Sequence, residues 1–247
     1  MELRLGADVT VAITGASGQL GQALARRYPD AILIGHHMIE EPVDLLIHAA
    51  CPDWRDERDV EDFGRFNLAV LQYVRRHQPT MVNVGSWWQI AEGTCRDLAY
   101  TRMKDYQQSL FPEARHVIAY SIYGPIKGYA LEVVRHVTGQ RRMTTVGTPW
   151  RDFVWVDDVA DAVANASMRA PGVYGAYSRK PVQVSAVARA FGIDLPIREQ
   201  GPTAELRYGD LENVATPVMS MADWIGREIA LAADGKWLDQ RKQWEAA

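Results

Sequence analysis

Residues 9–27, VTVAITGASGQLGQALARR, decide the fold. Apolar and β-branched residues predict a strand over Val9–Thr14, and helical periodicity follows over Gly18–Arg27. The turn between them is rich in glycine, which lets a backbone bend sharply and approach a ligand closely. Free N–H groups and the positive end of a helix stabilise a pyrophosphate at such a turn. We therefore predict a dinucleotide site formed by Gly15, Ser17, Gly18, Gln19, Leu20 and Gly21.

The rest of the chain alternates apolar runs of strand length with segments of helical period, which indicates a parallel sheet covered by helices. Further strands are predicted at Ala31–Gly35, Val43–His48, Thr80–Gly85 and His116–Tyr120. Further helices are predicted at Asp59–Arg76, Ala99–Leu110, Tyr129–Thr138 and after Gly235. The expected fold is an α/β, Rossmann-type doubly wound parallel sheet over residues 1–128. Residues 129–247 are expected to form a small C-terminal substrate-binding lobe. Whether the chain returns to the Rossmann sheet around 151–166 is left open.

Composition narrows the class of protein. The 247 residues fit one large domain with an annex, and 47% hydrophobic residues exclude wholesale disorder. Lys and Arg number 27 against 31 Asp and Glu, so nucleic acid is not expected as a partner. Cys51 and Cys95 fit neither a metal site nor a disulfide framework, and both are interpreted as packing residues. Because no leader or membrane span is recognisable, we expect a soluble, cytoplasmic protein that contacts no membrane.

The end of the second predicted strand bears on the choice of cofactor. An acidic residue there would bind the adenosine ribose of NAD, but this chain has Gly35, His36 and His37. Without a carboxylate at this position, the 2′-phosphate of NADP would not be repelled, and His36 or His37 could contact it. The cofactor is thus NADP or NAD, with a preference for NADP, while Glu40 or Glu41 remains able to serve the ribose.

A tyrosine and a lysine indicate proton-transfer chemistry. Tyr100 and Lys104 are four residues apart on a predicted helix and so share one face. A nearby ammonium lowers the pKa of a phenol and lets it exchange protons with an alcohol or carbonyl. Ser86, at the end of an intervening strand, adds a hydroxyl to this set.

Taken together, these segments resemble the extended short-chain dehydrogenase/reductase family, specifically its nucleotide-sugar epimerases, dehydratases and reductases. The resemblance covers nearly the whole chain. It rests on TGASGQLG (14–21), DLLIHAA (44–50), NVGSWW (83–88), YTRMK (100–104), YSIYGP (120–125), RDFVWVDDVADAV (151–163) and RYGD (207–210).

The resemblance implies a role for each matching residue. Tyr100 is expected to act as general acid or base, Lys104 to lower its pKa and bind the nicotinamide ribose, and Ser86 to hydrogen-bond the reacting oxygen. Arg151 and Arg207 are expected to hold the nucleotide diphosphate of the substrate. The positions expected near the cofactor are His48, Ala49, Ala50 and Tyr123. A homodimer through the helices at 59–76 and 99–110 is also implied.

Two departures from the family pattern refine the prediction. Only 23 residues separate Gly21 from Asp44, so the adenine side of the cofactor site is abbreviated. Trp87 and Trp88 follow Ser86 where dehydratases carry an acidic pair; these indoles either stack on a sugar or base or pack in the core. Tyr100 follows Ser86 by 14 residues, as in short 4-ketoreductases.

We therefore predict an NAD(P)-dependent 4-ketoreductase of a nucleotide-linked sugar. One alternative is a nucleotide-sugar epimerase that retains NAD through its cycle. The other is a non-catalytic NAD(P)-binding protein, against which the complete set of Ser86, Tyr100 and Lys104 argues.

Overall fold

The computed structural model describes residues 9–35, 37–51, 57–147, 150–198 and 205–234. The strands are β1 (Val11–Thr14), β2 (Ile32–Ile34), β3 (Leu45–His48), β4 (Thr80–Ser86), β5 (Arg115–Ala119), β6 (Ser121–Tyr123), β7 (Val146–Gly147), β8 (Trp150–Arg151), β9 (Phe153–Trp155), β10 (Gly172–Ala176), β11 (Val182–Gln183), β12 (Ile197–Arg198) and β13 (Glu212–Asn213). The helices are α1 (Gln19–Arg27), α2 (Glu57–His77), α3 (Ala99–Leu110), α4 (Tyr129–Val137), α5 (Val156–Ser167), α6 (Val184–Ala190) and α7 (Met221–Ala233). The helix predicted after Gly235 lies outside the described residues.

One parallel sheet organises the described chain. Its strands lie in the order β13-β10-β5-β4-β3-β1-β2. Every residue of β1 and β3 is buried, as expected for central strands that helices cover on both faces. The predicted Rossmann-type α/β fold is confirmed.

Helix α5 covers the sheet beside α1. Its buried positions are almost all Ala and Val, small enough to let a helix lie close to the sheet. Exposed ion pairs join the two helices, Arg26 to Asp157 at 2.8 Å and Arg27 to Asp161 at 3.2 Å. Such pairs contribute little stability, so burial of the apolar face of α5 holds it in place.

The adenine side of the sheet is abbreviated. β2 is the outermost strand of the described sheet, and the described residues between β2 and β3 contain no helix. Leu33 of β2 is 55% exposed, since no strand or helix of the described chain covers it. The short connection between Gly21 and Asp44 thus leaves this edge open.

A second apolar core lies beside the sheet. It is formed from α4, α6, α7 and the short strands β7 and β9, around buried Leu131, Val187 and Trp224. The chain after residue 128 contributes to both cores, because α5, β10 and β13 pack into the first. In the part of the chain that the structure describes, no helix is long and apolar enough to cross a membrane.

Candidate active site

The glycine loop connects β1 to α1. Gly15 has φ +73°, in the left-handed region that glycine adopts without strain. The N–H of Gly18 donates to the carbonyl of Gly15 at 3.0 Å, which closes the turn. A Cβ on Gly21 would lie 2.0 Å from the carbonyl oxygen of Gly15, so only glycine allows α1 to approach its own loop this closely. These backbone contacts form a cradle suited to a pyrophosphate.

A cleft of about 1040 Å³ opens beside this loop. One wall is the loop with the end of β2, and the other is α2. Its lining consists of Gly15, Ala16, Ser17, Leu33, Ile34, Gly35, His37, Met38, Ala50, Cys51, Asp62, Phe63, Arg65, Phe66 and Ala69. The volume and the glycine cradle fit a dinucleotide.

Helix α2 contributes charged groups that the sequence reasoning missed. Asp62 and Arg65 form an ion pair in the cleft, opposite the end of β2. Their i, i+3 spacing is common on exposed helices, so it gave no signal of a cleft. Of the two candidate histidines, His37 lines the cleft, whereas His36 lies outside the described residues.

Gln19 lies at the first turn of α1 and ties two parts of the site together. Its Oε1 accepts hydrogen bonds from the N–H groups of Ile126 at 3.1 Å and Lys127 at 2.9 Å. The loop after β6 is thereby held against the cofactor loop. Leu20 faces the other way, into the core beneath the sheet.

His48 is placed differently from the expectation. Its ring is fully buried, with Nδ1 2.7 Å from the hydroxyl of Thr14 and Nε2 2.7 Å from the side-chain oxygen of Asn67. The pKa of His48 is lowered to about 4. Burial is the main cause, the hydrogen bond with Asn67 acts in the opposite direction, and the charge of Lys104 adds to the lowering. The His48 side chain therefore faces the core. The backbone of Ala49 and Ala50 lies against the glycine loop, since a Cβ added to Gly15 would be only 2.6 Å from Ala50 Cα.

The burial of His48 makes stability depend on pH. Since its pKa is about 4 in the folded protein and 6.5 when unfolded, the unfolded chain takes up the proton first as the pH falls. We expect the free energy of unfolding to decrease by up to about 3 kcal/mol between pH 6.5 and 4 through this residue.

Urea unfolding of wild type and His48→Asn at several pH values measures this contribution as the difference between their slopes. His37→Asn, at an exposed histidine, is the matched control and is expected to keep the wild-type slope. Equal slopes in wild type and His48→Asn would contradict the assignment.

Ser86 and Tyr100 meet where β4 ends and α3 begins. Ser86 is 8% exposed, and its hydroxyl caps the helical turn Trp87–Gln89 and hydrogen-bonds Tyr100. Trp88 packs edge-on against the Tyr100 ring, with the centroids 5.7 Å apart. The structure thus brings together two members of the predicted set.

The electrostatics of Tyr100 depend on burial and on its neighbours. Burial raises the pKa of Tyr100, Cys51 raises it further, and the hydrogen bond with Ser86 lowers it. The Nζ of Lys104 is buried and donates to the carbonyl of Val84 and to Gln107 Oε1, each at 3.0 Å, and burial lowers its pKa. The Lys104 ammonium thus hydrogen-bonds β4 and α3 in this structure, and its effect on the pKa of Tyr100 stays a prediction.

Cys51 also differs from its sequence interpretation. It is exposed, lines the cleft and hydrogen-bonds Tyr100, so interpreting it as a packing residue was wrong. Cys95 is fully buried, as a packing residue should be. The neighbourhood of Cys51 and Tyr100 arises from the sheet, since β3 and β4 end side by side.

The two candidate phosphate ligands lie against one segment, residues 87–92. The guanidinium of Arg151 lies over the Trp87 ring, 4.8 Å from its centroid. Arg207 pairs with Glu92 at 2.6 Å and with Glu205 at 3.2 Å. This segment directly follows Ser86 in the chain.

The two indoles take different environments. Trp87 is 4% exposed and stacks on Tyr120 at 6.2 Å, so it belongs to the core beneath Arg151. Trp88 is half-buried and contacts the Tyr100 ring. Of the two indoles, Trp88 is therefore the one beside the Ser86–Tyr100 pair.

Tyr123 lies away from the position predicted for it. Its side chain is fully buried in the second core, where its hydroxyl donates to the carbonyl of Met219 at 2.7 Å and its ring contacts Trp155 and Trp224. The Tyr123 side chain therefore does not face the cleft, and Gln19 rather than Tyr123 joins this turn to the cofactor loop.

Comparison with known proteins identifies the architecture. No protein-family model matches the sequence, and no curated protein matches it. The Bordetella bronchiseptica enzyme WbmG in complex with NAD and UDP matches with a TM-score of 0.70 at 14% identity, over 95% of this chain and 97% of that one. UDP-glucose 4-epimerase from Thermotoga maritima, with UDP-glucose, matches with a TM-score of 0.70 at 12% identity, over 92% and 99%. UDP-N-acetylglucosamine 4-epimerase from Bacillus cereus gives 0.67 at 13% identity, over 91% and 99%.

The chain shares the Rossmann-type α/β fold of these solved structures. The match extends over both cores and so includes the second one beside the sheet. Among the described residues, no group of three or more His, Cys, Asp or Glu side chains is arranged to hold a metal ion.

Proposed function

We propose that the protein is an NAD(P)-dependent oxidoreductase that reduces a keto group of a nucleotide-linked sugar. The observations that carry this proposal are two: Tyr100 of the Ser86–Tyr100 pair contacts Cys51, which lines the dinucleotide cleft, and Ser86 leads directly into segment 87–92, against which the two arginines lie. A sugar carbonyl at Ser86 and Tyr100 leaves its diphosphate near Arg151 and Arg207. The structures that match contain NAD, UDP or UDP-glucose, according to their descriptions, which supports the same pairing of ligands.

Each residue has a defined task in this reaction. The glycine loop binds the dinucleotide, whose nicotinamide supplies the hydride when bound. Ser86 hydrogen-bonds the carbonyl oxygen, and Tyr100 donates a proton to it. A tyrosine phenol carries its proton at neutral pH and can therefore donate it to the carbonyl oxygen.

The open edge of the sheet favours a reductase over an epimerase. A reductase exchanges its cofactor in every turnover, whereas an epimerase that regenerates its own cofactor can retain it. The outermost strand β2 and the exposed Leu33 leave the adenine side of the cleft uncovered. The second candidate, an epimerase with retained NAD, is favoured by the presence of 4-epimerases among the matching structures.

Cofactor content tests the proposal directly. The protein is purified without added nucleotide and denatured, and any released dinucleotide is identified by chromatography. We expect an empty protein that binds NADPH and NADH and oxidises one of them when a 4-keto nucleotide-sugar is added. Stoichiometric bound NAD would instead indicate the epimerase, and a protein that binds no dinucleotide would overturn both candidates.

The finer choices are also proposals. We propose NADP over NAD, because the end of β2 carries His36 and His37 in place of an acidic residue. Titrating the protein with NADPH and NADH side by side measures this preference. A homodimer through α2 and α3 stays a prediction, for which sedimentation velocity is the measurement.

A further inference from the structure

Asp152 is a buried carboxylate directly after Arg151. Its side chain is fully buried, and each oxygen accepts two hydrogen bonds. Oδ1 accepts from the N–H and hydroxyl of Ser178 at 2.9 and 2.5 Å. Oδ2 accepts from the N–H of Arg179 at 2.8 Å and the hydroxyl of Tyr208 at 2.7 Å. These four donors fill the acceptor positions of a carboxylate.

The partners of Asp152 are neutral groups. Within the described ranges of the chain, no Lys, Arg or His side chain forms an ion pair with it. Burying a carboxylate without a cation costs more free energy than burying an apolar side chain of similar size. Overall stability therefore does not account for an aspartate here, and the geometry that it imposes is the remaining explanation.

That geometry connects the two arginines of the site. Arg151 precedes Asp152, and Arg207 precedes Tyr208, which donates to Asp152. The Tyr208 ring stacks on Tyr120 at 5.3 Å, and the hydroxyl of Tyr120 donates to the carbonyl of Arg207. The carboxylate thus holds the backbone next to each arginine.

The aromatic stack completes the connection. Tyr120 also stacks on Trp87, the ring over which the Arg151 guanidinium lies. A closed set of contacts therefore runs from Asp152 through Tyr208, Tyr120 and Trp87 back to Arg151. Loss of the carboxylate would remove the hydrogen bond that ties the segment carrying Arg207 directly to the residue after Arg151.

A strained residue is part of the same arrangement. Arg179 has φ +59°, a left-handed conformation that is uncommon for residues other than glycine. The hydrogen bond from its N–H to Asp152 holds this conformation, and its guanidinium lies over the Tyr177 ring at 5.4 Å. Strain of this kind persists where surrounding contacts impose it, and it concentrates at functional sites.

We propose that Asp152 is a positioning residue for the nucleoside diphosphate of the substrate. By fixing Tyr208 and the 178–179 turn, it sets the separation of Arg151 and Arg207 along segment 87–92 before the diphosphate binds. Both side chains are long, so this preorganisation reduces the ordering that binding requires. The inference rests on the proposed nucleotide-sugar substrate and adds a residue that touches neither substrate nor cofactor.

Nucleoside diphosphate binding tests the proposal. UDP, CDP, GDP and dTDP are each titrated into wild type by calorimetry, and the best binder is then titrated into Asp152→Asn and Tyr208→Phe. We expect Asp152→Asn to weaken its binding about tenfold or more, since an amide offers fewer acceptors to the same donors. Tyr208→Phe, which removes one of the four hydrogen bonds and keeps the ring, is expected to weaken it about threefold or more. If Asp152→Asn does not fold, Tyr208→Phe still tests the proposal.

NADH affinity separates positioning from general damage to the fold. Asp157→Asn is the matched control, because Asp157 lies on the same stretch but pairs with Arg26 on the surface. We expect NADH affinity in all three variants, and diphosphate affinity in Asp157→Asn, to stay within about twofold of wild type.

Three outcomes would overturn the proposal. Wild-type diphosphate affinity in both Asp152→Asn and Tyr208→Phe would contradict positioning by Asp152. An equal loss of diphosphate and NADH affinity would show that the residue only supports the fold. Failure of wild type to bind any of the four diphosphates would instead remove the proposed substrate class, and this inference with it.

Discussion

Tyr100→Phe is expected to reduce turnover about 10²- to 10⁴-fold while leaving NADH binding close to wild type. The substitution removes the hydroxyl that hydrogen-bonds Ser86 and keeps the ring that packs against Trp88. The chemical step then loses its general acid, but the packing of α3 is preserved. Initial rates of NAD(P)H oxidation with a 4-keto nucleotide-sugar, together with an NADH titration, measure the two effects separately.

Tyr106→Phe provides the matched control for this prediction. Tyr106 lies on the same helix as Tyr100 but is 47% exposed, and it has no assigned part in the site. Its variant is expected to retain turnover within about twofold. If Tyr100→Phe also retained wild-type turnover, Tyr100 would not be the proton donor, and the non-catalytic alternative would gain support.

Gly21→Ala is expected to abolish dinucleotide binding or to prevent folding. The added Cβ would lie 2.0 Å from the carbonyl oxygen of Gly15 and 2.6 Å from Cα of Ala16, which are backbone atoms that cannot rotate away. Either α1 moves away from the loop or the loop changes shape, and both disturb the pyrophosphate cradle. We expect NADH affinity to fall about 100-fold or more in any protein that folds, measured by fluorescence titration beside thermal unfolding.

Gly226→Ala separates the effect of position from that of the residue type. Gly226 lies in α7, and a Cβ built on it meets nothing within 4 Å. Alanine favours a helix over glycine by about 1 kcal/mol, so this variant should be as stable as wild type or more so. Gly21→Ala with wild-type stability and NADH affinity would show that the loop does not hold the cofactor as proposed.

Features encoded by neighbours in sequence could be predicted reliably. The strand, glycine turn and helix of residues 9–27 follow from local periodicity and from the needs of a tight turn. The short link between Gly21 and Asp44 likewise predicted an abbreviated adenine side. The structure places β2 at the outer edge of its described sheet, with no helix in the described part of that link.

The placement of polar side chains within the site was harder to predict. The Tyr100–Lys104 spacing predicted one helix face but not that Lys104 Nζ would bond the carbonyl of Val84, 20 positions earlier. Asp62 and Arg65 became cleft residues only because the fold places α2 across the cleft from the glycine loop and the end of β2. The hydrogen-bond partners of the Asp152 carboxylate lie 26 to 56 positions further along the chain, so local sequence patterns could not predict them.

By itself, the sequence determined the order of the main strands and helices up to about residue 138, the glycine cradle and the residue types available for proton transfer. Only the tertiary structure decided which way the buried side chains face. His48 turns to Thr14, 34 positions away, and Tyr123 turns to Met219, 96 positions away. The physical reason is that backbone propensity acts over a few neighbouring residues. A buried polar group, in contrast, must find a partner wherever the fold brings one, because leaving it unpaired costs about 1–3 kcal/mol.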